Sequence, residues 1–326
     1  MFIVVSQLTV APRHTADKSN LIKGIWLSHV GNAWLTYTSQ TDNVFHQLAR
    51  LNYNRVYVDV YNNGTTYSSK YAPRNYLLSL PFTNPLKTAI AQGKRQGLEI
   101  YAWYEHGLMT FPNAKLAQQH PDWILSTDNN EKLIDRHWWI DPSNPEVQQY
   151  FVDLFTEVAL SYPDLYGIQI DDHWGIPVQF GDRTQAVTAL TQQVVAAIRK
   201  AKPDLIISLS PNPIGFSRTK YSQDWLTWIE AGWIDELVMQ LYRPTSAEVV
   251  LAIDNSILGQ IRDKIDIGIG IYAGGLTNQK SLAEIQQQIA TVKKYGYGYA
   301  LFPWKTSFGI LRRASREEKE KFLKAI

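Results

Sequence analysis

Cysteine is absent from this 326-residue sequence, which excludes disulfides, thiolate metal sites and cysteine nucleophiles. The sequence also lacks the G-x-S-x-G elbow of serine hydrolases, the phosphate-binding P-loop and any known nucleic-acid-binding motif. Carboxylates, imidazoles, amides and aromatic rings are therefore the groups from which a functional site has to be built.

The sequence also has no large excess of positive or negative charge. The chain has 32 Lys and Arg against 30 Asp and Glu, a net charge of +2, and no basic block. We therefore expect no nucleic-acid partner and no anionic membrane surface as partner. The apolar start, residues 1–12, is too short to span a bilayer and has neither the basic region nor the cleavage site of a clear signal peptide.

Aromatic residues are abundant, with 11 Trp, 18 Tyr and 11 Phe, and hydrophobic residues make up 45% of the chain. The C–H faces of sugars stack on aromatic rings, so a cleft rich in aromatic residues suits a carbohydrate. The alternative is that these rings fill a large core, and the counts alone are compatible with both.

Strand and helix patterns alternate along most of the chain. Predicted strands cover residues 23–29, 55–61, 99–105, 166–174, 205–210, 236–242, 265–272 and 297–304. Predicted helices cover residues 41–51, 85–96, 145–160, 183–200, 224–231, 247–263, 282–294 and 316–325.

Eight such units predict an α/β fold, a (β/α)8 TIM barrel, formed as a single catalytic domain by residues 23–326 after a lead-in of residues 1–22. An open doubly wound sheet is the rival, but no glycine-rich phosphate turn follows the first strand. A long loop, residues 106–144, follows the third strand, and loops of this length are usually functional or independently folded.

The predicted strand within residues 166–174 ends in two consecutive carboxylates. Ile168 and Ile170 alternate with Gln169 and Asp171, so the isoleucines should pack on helices while the polar pair faces the barrel interior or a cleft. In parallel α/β folds the carboxyl ends of the strands carry the chemistry.

Side chains at the other predicted strand ends should converge at the same face of the barrel. Carboxylates, amides and aromatic rings together fit glycoside hydrolysis, in which two carboxyl groups flank the scissile bond. The candidate catalytic residues are Asp171, Asp172 and Glu105. The candidate substrate-binding residues are Trp26, Tyr57, Asp59, Trp103, His173, Trp174, Asn212, Gln240, Tyr242 and Trp304. Each also has a structural alternative, such as an ion pair for Glu105 or a core position for the tryptophans.

A metal-dependent carbohydrate deacetylase or hydrolase is the second hypothesis. His29, His106 and His173 lie near predicted strand ends, and an imidazole with carboxylates can bind zinc or manganese. All seven histidines are isolated, however, without an H-x-H, H-x-x-x-H or H-E-x-x-H spacing. We therefore expect no metal and no cofactor; a barrel that binds glycans without cleaving them is a third hypothesis.

Several motifs resemble those of glycosyl-hydrolase-like family ten, a group of bacterial TIM-barrel proteins, over residues 23–304. Gly24-Ile-Trp26 looks like the family's R-G-V-W strand, and Tyr101-Ala-Trp103 is similar to its H-A-W strand. The most specific likeness is residues 162–172, which resemble Y-P-V-D-G-V-x-F-D-D. Weaker likenesses follow at 140–147 (L-D-P…P-E-V), 208–211 (G-V-S-P), 228–235 (W-x-x-x-G-x-x-D) and 240–242 (Q-x-Y).

The resemblance implies a glycosidase acting on a polysaccharide, with bacterial cell-wall glycan as the expected substrate and the cell envelope or the exterior as the expected location. The strand around Asp171 also looks like the nucleophile strand of the α-amylase superfamily, which implies that Asp171 rather than Asp172 is the nucleophile. Three departures mark a divergent member: Glu105 stands where the family has Asn, His173 where it has Tyr, and the second strand lacks a basic residue. They leave the general acid unassigned between Asp172 and Glu105.

Overall fold

Eight parallel strands close into a barrel in the computed structural model, which describes residues 21–80 and 82–326. We number them β1 to β8: Lys23–Leu27, Arg55–Asp59, Glu99–Tyr104, Gly167–Asp171, Ile206–Ser210, Glu236–Gln240, Asp266–Tyr272 and Gly298–Phe302. Each strand pairs with its neighbours in the chain, and β8 closes the ring on β1 through the pairing of Ala300 with Gly24. The (β/α)8 prediction is confirmed, and the predicted lead-in of residues 1–22 lies outside the described residues apart from its last two.

Helices surround this barrel. Their bounds are His29–Thr38, Thr41–Arg50, Pro85–Gln96, Lys115–Gln119, Pro145–Ser161, Thr184–Ala201, Ile214–Tyr221, Trp225–Glu230, Ser246–Asp254, Leu258–Ile261, Leu282–Lys294, Trp304–Ser307 and Arg316–Ala325. None of them, in the part of the chain that the structure describes, is both long and apolar enough to cross a membrane.

Four helices were missed by the sequence analysis, and one predicted helix is divided. The missed helices are short, and no side chain caps the start of any of them: His29–Thr38, Lys115–Gln119, Ile214–Tyr221 and Trp304–Ser307. The helix predicted over residues 247–263 breaks after Asp254 because the side chains of Asn255 and Ser256 donate hydrogen bonds to the carbonyls of Leu251 and Ile253.

The long loop after β3 has elements of its own. Met109–Thr110 pairs antiparallel with Trp138–Trp139, and a short 3₁₀ turn covers Pro121–Trp123. The loop is fixed over the end of β4, because the amide of Leu108 donates to the carbonyl of His173 at 3.0 Å. It therefore forms one wall around the carboxyl end of the barrel.

A chain of polar contacts runs through the barrel interior. Trp26 Nε1 donates to Gln169 Oε1 at 2.7 Å, Gln169 Nε2 donates to Ser208 Oγ at 2.9 Å, and Ser208 Oγ donates to Glu236 Oε1 at 2.7 Å. At the amino end of the strands, Arg55 Nη1 lies 2.6 Å from Glu236 Oε2. Ile168 packs in the cluster between barrel and helices, as the alternation in β4 predicted, while Gln169 is buried inside. We call this chain of contacts from Trp26 to Arg55 the polar column.

Gly93 lets helix Pro85–Gln96 pack closely on β3. A Cβ added at Gly93 would lie 2.3 Å from Ile100 Cγ1, whereas one added at Gly215, in helix Ile214–Tyr221, would meet no atom within 4 Å. Gly93→Ala should therefore lower the free energy of unfolding by about 1–3 kcal/mol through overpacking. Gly215→Ala is the matched control and should raise it by about 0.5–1 kcal/mol through helix propensity. Urea unfolding followed by circular dichroism measures both, and equal effects would contradict the close packing.

Candidate functional site

A cavity of about 150 Å³ opens at the carboxyl ends of the barrel strands. Its lining consists of carboxylates, one imidazole, one amide and four aromatic rings: Trp26, Trp103, Glu105, Asp171, Asp172, His173, Gln240, Tyr242 and Phe302. The three carboxylates selected from the sequence thus share one cavity. Its position is the one at which TIM-barrel enzymes carry their active sites.

Asp171 is held rigidly at the end of β4. Its Oδ1 atom accepts hydrogen bonds from Ser210 Oγ at 2.7 Å and from Gln240 Nε2 at 2.8 Å, residues that end β5 and β6. Its Oδ2 atom lies 3.5 Å from His173 Nδ1, and the residue is only 3% exposed. Three neighbouring strand ends therefore fix the orientation of this carboxylate.

His173 links the carboxylates of the site. Its Nδ1 atom lies 2.9 Å from the backbone oxygen of Glu105, which can only accept, so Nδ1 carries a proton. The same nitrogen is 3.4 Å from Asp172 Oδ1. Burial acts to lower the pKa of His173, but the charges of Asp172 and Asp171 outweigh it and raise the pKa to about 10. At neutral pH the ring is therefore an imidazolium that balances one of the two carboxylate charges.

The neighbouring carboxylate of Asp172 acts on Asp171 through its charge. Burial, reinforced by the negative charge of Asp172, raises the pKa of Asp171 to about 7, although hydrogen bonds with His173 and Ser210 oppose the shift. Asp172 is held from its other side by Asn212 Nδ2, which donates to Asp172 Oδ2 at 2.7 Å. Below about pH 7 Asp171 therefore holds a proton, and above that pH it is an ionised carboxylate.

Glu105 borders the cavity next to a second carboxylate, Asp59. Asn62 Nδ2 donates to Glu105 Oε2 at 2.8 Å, and His29 Nδ1 lies 3.3 Å from the same oxygen. Burial acts to raise the pKa of Glu105, but the hydrogen bond with His29 and the nearby imidazoles outweigh it and lower the pKa. Burial first, and then the charge of Glu105, raises the pKa of Asp59 well above its usual value. The proton shared by these two groups therefore lies on Asp59.

Two groups of side chains in the described residues could hold a metal ion. One consists of His29, Asp59 and Glu105, and the other of Asp171, Asp172 and His173; in each group the ligand atoms lie within 4.8 Å of one another. His106, part of the metal hypothesis, belongs to neither and packs against Phe111 with 5.3 Å between ring centroids.

Not every predicted substrate contact reaches the cavity. Tyr57 lies deep in the barrel, fully buried, and its hydroxyl donates to Glu236 Oε1 at 2.8 Å. Trp174 lies in the core outside the barrel, where Nε1 donates to Thr191 Oγ1 at 2.8 Å. Trp304 is 3% exposed and packs beside Trp34 with 5.9 Å between ring centroids. None of these three rings lines the cavity, so the binding role expected of them has no support. Asp59 and Asn212 do not line the cavity either. Each contacts a carboxylate that does: Asp59 contacts Glu105, and Asn212 donates to Asp172.

The sequence analysis also missed residues of the site. Phe302, the last residue of β8, lines the cavity and stacks on Tyr242 with 5.8 Å between ring centroids and 10° between planes. The eighth strand was predicted to end at residue 304, whereas it ends at Phe302. With the correct end, the rule that functional residues lie at strand ends would have selected Phe302. Asn62 directly follows the second predicted strand, and nothing in the sequence indicated its contact with Glu105.

The fold and the cavity together define a (β/α)8 barrel with a carboxylate-lined pocket at the carboxyl ends of its strands. The family model described as "Glycosyl hydrolase-like 10" matches residues 21–188 and 182–292, and the chain belongs to this family. The resemblance found in the sequence motifs is therefore confirmed.

Similar proteins carry names from the same field. "Glycosyl hydrolase DigH" of Escherichia coli K12 is 25% identical over 344 residues, which cover 81% of this chain and 76% of that protein. The PgaB (BpsB) glycoside hydrolase domain from Bordetella bronchiseptica superposes with a TM-score of 0.66 at 11% identity, over 97% of this chain and 99% of that one. The GH36 α-galactosidase AgaA from Geobacillus stearothermophilus gives a TM-score of 0.60 at 16% identity, over 97% and 42%. At these identities the structures show the shared fold alone.

Proposed function

We propose that this protein is a glycosidase that hydrolyses O-glycosidic bonds of a polysaccharide, with bacterial cell-wall glycan as substrate. The observation that supports it is the grouping of three carboxylates with four aromatic rings around one cavity at the carboxyl end of the barrel. We further propose that residues 23–326 act as one catalytic domain after a lead-in of residues 1–22, and that the protein works in the cell envelope or outside the cell.

The carboxylate pair supplies both groups that the reaction needs. One carboxyl group passes a proton to the leaving group, and the other, in its ionised form, attacks the anomeric carbon or activates water. Asp171 is the proposed nucleophile or base, because Ser210, Gln240 and the imidazolium of His173 offer it only donors. Asp172 is the proposed proton donor. Glu105 is not, because its lowered pKa keeps it ionised at neutral pH.

The walls of the cavity suit a single sugar unit. The volume of about 150 Å³ is below the range of about 300–1,000 Å³ of pockets for drug-sized ligands. Trp26, Trp103, Tyr242 and Phe302 offer ring faces or edges to the C–H groups of the sugar. Glu105 and Gln240 can bind its hydroxyls.

A substrate panel tests this proposal. The purified protein is incubated with peptide-free cell-wall glycan strands and with aryl glycosides, including an α-galactoside because of the structural neighbours. Release of reducing ends from the cell-wall strands is the expected result. Binding without any release, measured on a glycan array, would instead identify a barrel that only binds glycans.

The reaction should slow in acid solution. A nucleophile or base has to be ionised, and the pKa of Asp171 is raised to about 7, so the active form of Asp171 is present above that pH and lost below it. We expect kcat/KM to fall below about pH 7, approaching tenfold per pH unit. Initial rates between pH 5 and pH 9 measure this decrease. A rate that stays constant or rises toward pH 5 would contradict the role proposed for Asp171.

A further inference from the structure

Asp59 and Glu105 form a buried pair of carboxylates without a matching positive charge. Asp59 is fully buried and the side chain of Glu105 is 14% exposed. Within residues 21–80 and 82–326, Glu105 has an ion pair only with His29, and Asp59 has none. Lys305 is close enough for its charge to act on both groups but makes no ion pair with either. Buried carboxylates are normally paired, protonated or bound to a metal.

One oxygen of this pair is reached by no donor from any other described residue. Asp59 Oδ1 accepts from the amide of Tyr61 at 3.1 Å, whereas Asp59 Oδ2 is buried and meets the carboxyl group of Glu105. The ligand atoms of Asp59, His29 and Glu105 all lie within 4.8 Å of one another. Two buried carboxyl groups in contact need either a shared proton or a cation between them.

We propose that His29, Asp59 and Glu105 bind a divalent transition-metal ion, Zn²⁺ or Mn²⁺, at the edge of the sugar cavity. The ligands come from three successive βα units, since Asp59 ends β2, Glu105 directly follows β3, and His29 follows β1 at the start of a helix. The site departs from the sequence-based expectation of no metal. It also differs from the metal hypothesis weighed there, because neither His106 nor His173 takes part.

The donor set and its spacing fit such an ion. One imidazole and two carboxylates suit Zn²⁺ or Mn²⁺ better than Mg²⁺ or Ca²⁺, which prefer oxygen ligands alone. His29 Nδ1 and Glu105 Oε2 are 3.3 Å apart, close to the roughly 3.4 Å between two tetrahedral ligands that are each about 2.1 Å from zinc. Three protein ligands leave a coordination position free for water or a substrate oxygen.

The position of the site connects it to the substrate. Glu105 also lines the sugar cavity, so an ion held by Glu105 borders the bound sugar and can take one of its hydroxyl oxygens as a ligand. This role in substrate binding rests on the proposed glycosidase function. The binding of the ion does not, and it is measured without a substrate.

Metal titration of the full chain tests the proposal. Protein freed of metal with a chelator is titrated with ZnCl2, MnCl2, CaCl2 and MgCl2 by calorimetry, and elemental analysis counts the ions that remain after gel filtration. We expect one Zn²⁺ per chain, with Mn²⁺ bound more weakly and Ca²⁺ and Mg²⁺ more weakly still. His29→Ala, at a side chain 36% exposed, and Asp59→Asn should each weaken Zn²⁺ binding by at least about tenfold.

The second carboxylate–histidine group provides the matched control. Asp171→Asn removes a ligand from the group of Asp171, Asp172 and His173 but none from the proposed site, so Zn²⁺ affinity should stay within about twofold. The same variant keeps the metal test independent of glycosidase activity. No bound ion with any of the four metals would overturn the proposal and leave a shared proton between Asp59 and Glu105. Zn²⁺ binding that survives His29→Ala and Asp59→Asn but is lost in Asp171→Asn would also overturn it, because the ion would then lie in the other group.

Discussion

Asp171→Asn should lower kcat on the cell-wall glycan by about three orders of magnitude or more. Asparagine has the same shape, and its carbonyl oxygen can still accept from Ser210 and Gln240, so the fold should be retained. The amide can neither attack an anomeric carbon nor act as a base, and loss of such a group typically costs about 10²–10⁴-fold or more. Initial rates of reducing-end release, with the thermal midpoint measured alongside, separate lost chemistry from lost folding.

Asp204→Asn is a suitable control for this variant, because Asp204 is exposed and precedes β5 at the opposite end of the barrel. It should leave kcat unchanged. If Asp171→Asn keeps more than about a tenth of the wild-type kcat while remaining folded, Asp171 takes no direct part in the reaction.

Arg55→Ala should have the largest effect on stability. Its guanidinium lies 2.6 Å from Glu236 Oε2, and Glu236 is 1% exposed inside the barrel. Without Arg55 the carboxylate keeps the hydroxyls of Tyr57, Tyr101 and Ser208 but has no opposite charge beside it. Removing one partner of a buried ion pair costs about 3–5 kcal/mol of unfolding free energy. Urea unfolding measures the loss.

Two further variants show whether the uncompensated charge is the cause. Glu99→Gln removes a half-buried partner on the other side of Arg55 and should cost less than about 1 kcal/mol. Adding Glu236→Gln to Arg55→Ala removes the unpaired charge and should recover part of the lost unfolding free energy.

The effect of Arg55→Ala should also depend on pH. Burial raises the pKa of Glu236 against the influence of Arg55. The single Arg55 variant should therefore be less destabilised at pH 5, where the carboxyl can take up a proton, than at pH 8. An equal loss at both pH values would point to lost packing instead.

Local signals were sufficient to predict the elements that form the barrel. Helix Pro85–Gln96 starts at the Asn84 cap and ends at Gly97, whose φ of 72° few other residues adopt. Helix Pro145–Ser161 likewise begins after the cap Asn144, and the alternation in β4 correctly separated Ile168 from Gln169. Propensity, capping and the period of two act within a few residues, so they can be read from a single sequence.

The site itself depends on distances that no local signal encodes. The resemblance implied a role for Asp171. Its hydrogen bonds with Ser210 and Gln240, however, form only because β4, β5 and β6 end at the same level along the barrel axis. Trp174 follows three residues that line the cavity, yet the chain turns after His173 and carries the indole into the core. The contact between Asp59 and Glu105 likewise arises because β2 and β3 pair residues that are 44 positions apart in the chain, such as Arg55 and Glu99.

The polar column has a consequence for how a glycan chain is held. Trp26 forms the floor of the cavity, and its indole nitrogen is already committed to Gln169, which in turn leads down to Glu236 and Arg55. A deeper pocket would strand buried amides and charges, so neighbouring sugar units cannot extend downward. For the glycosidase that we propose, the neighbouring sugar units therefore have to run outward across the rim of the barrel, above this floor.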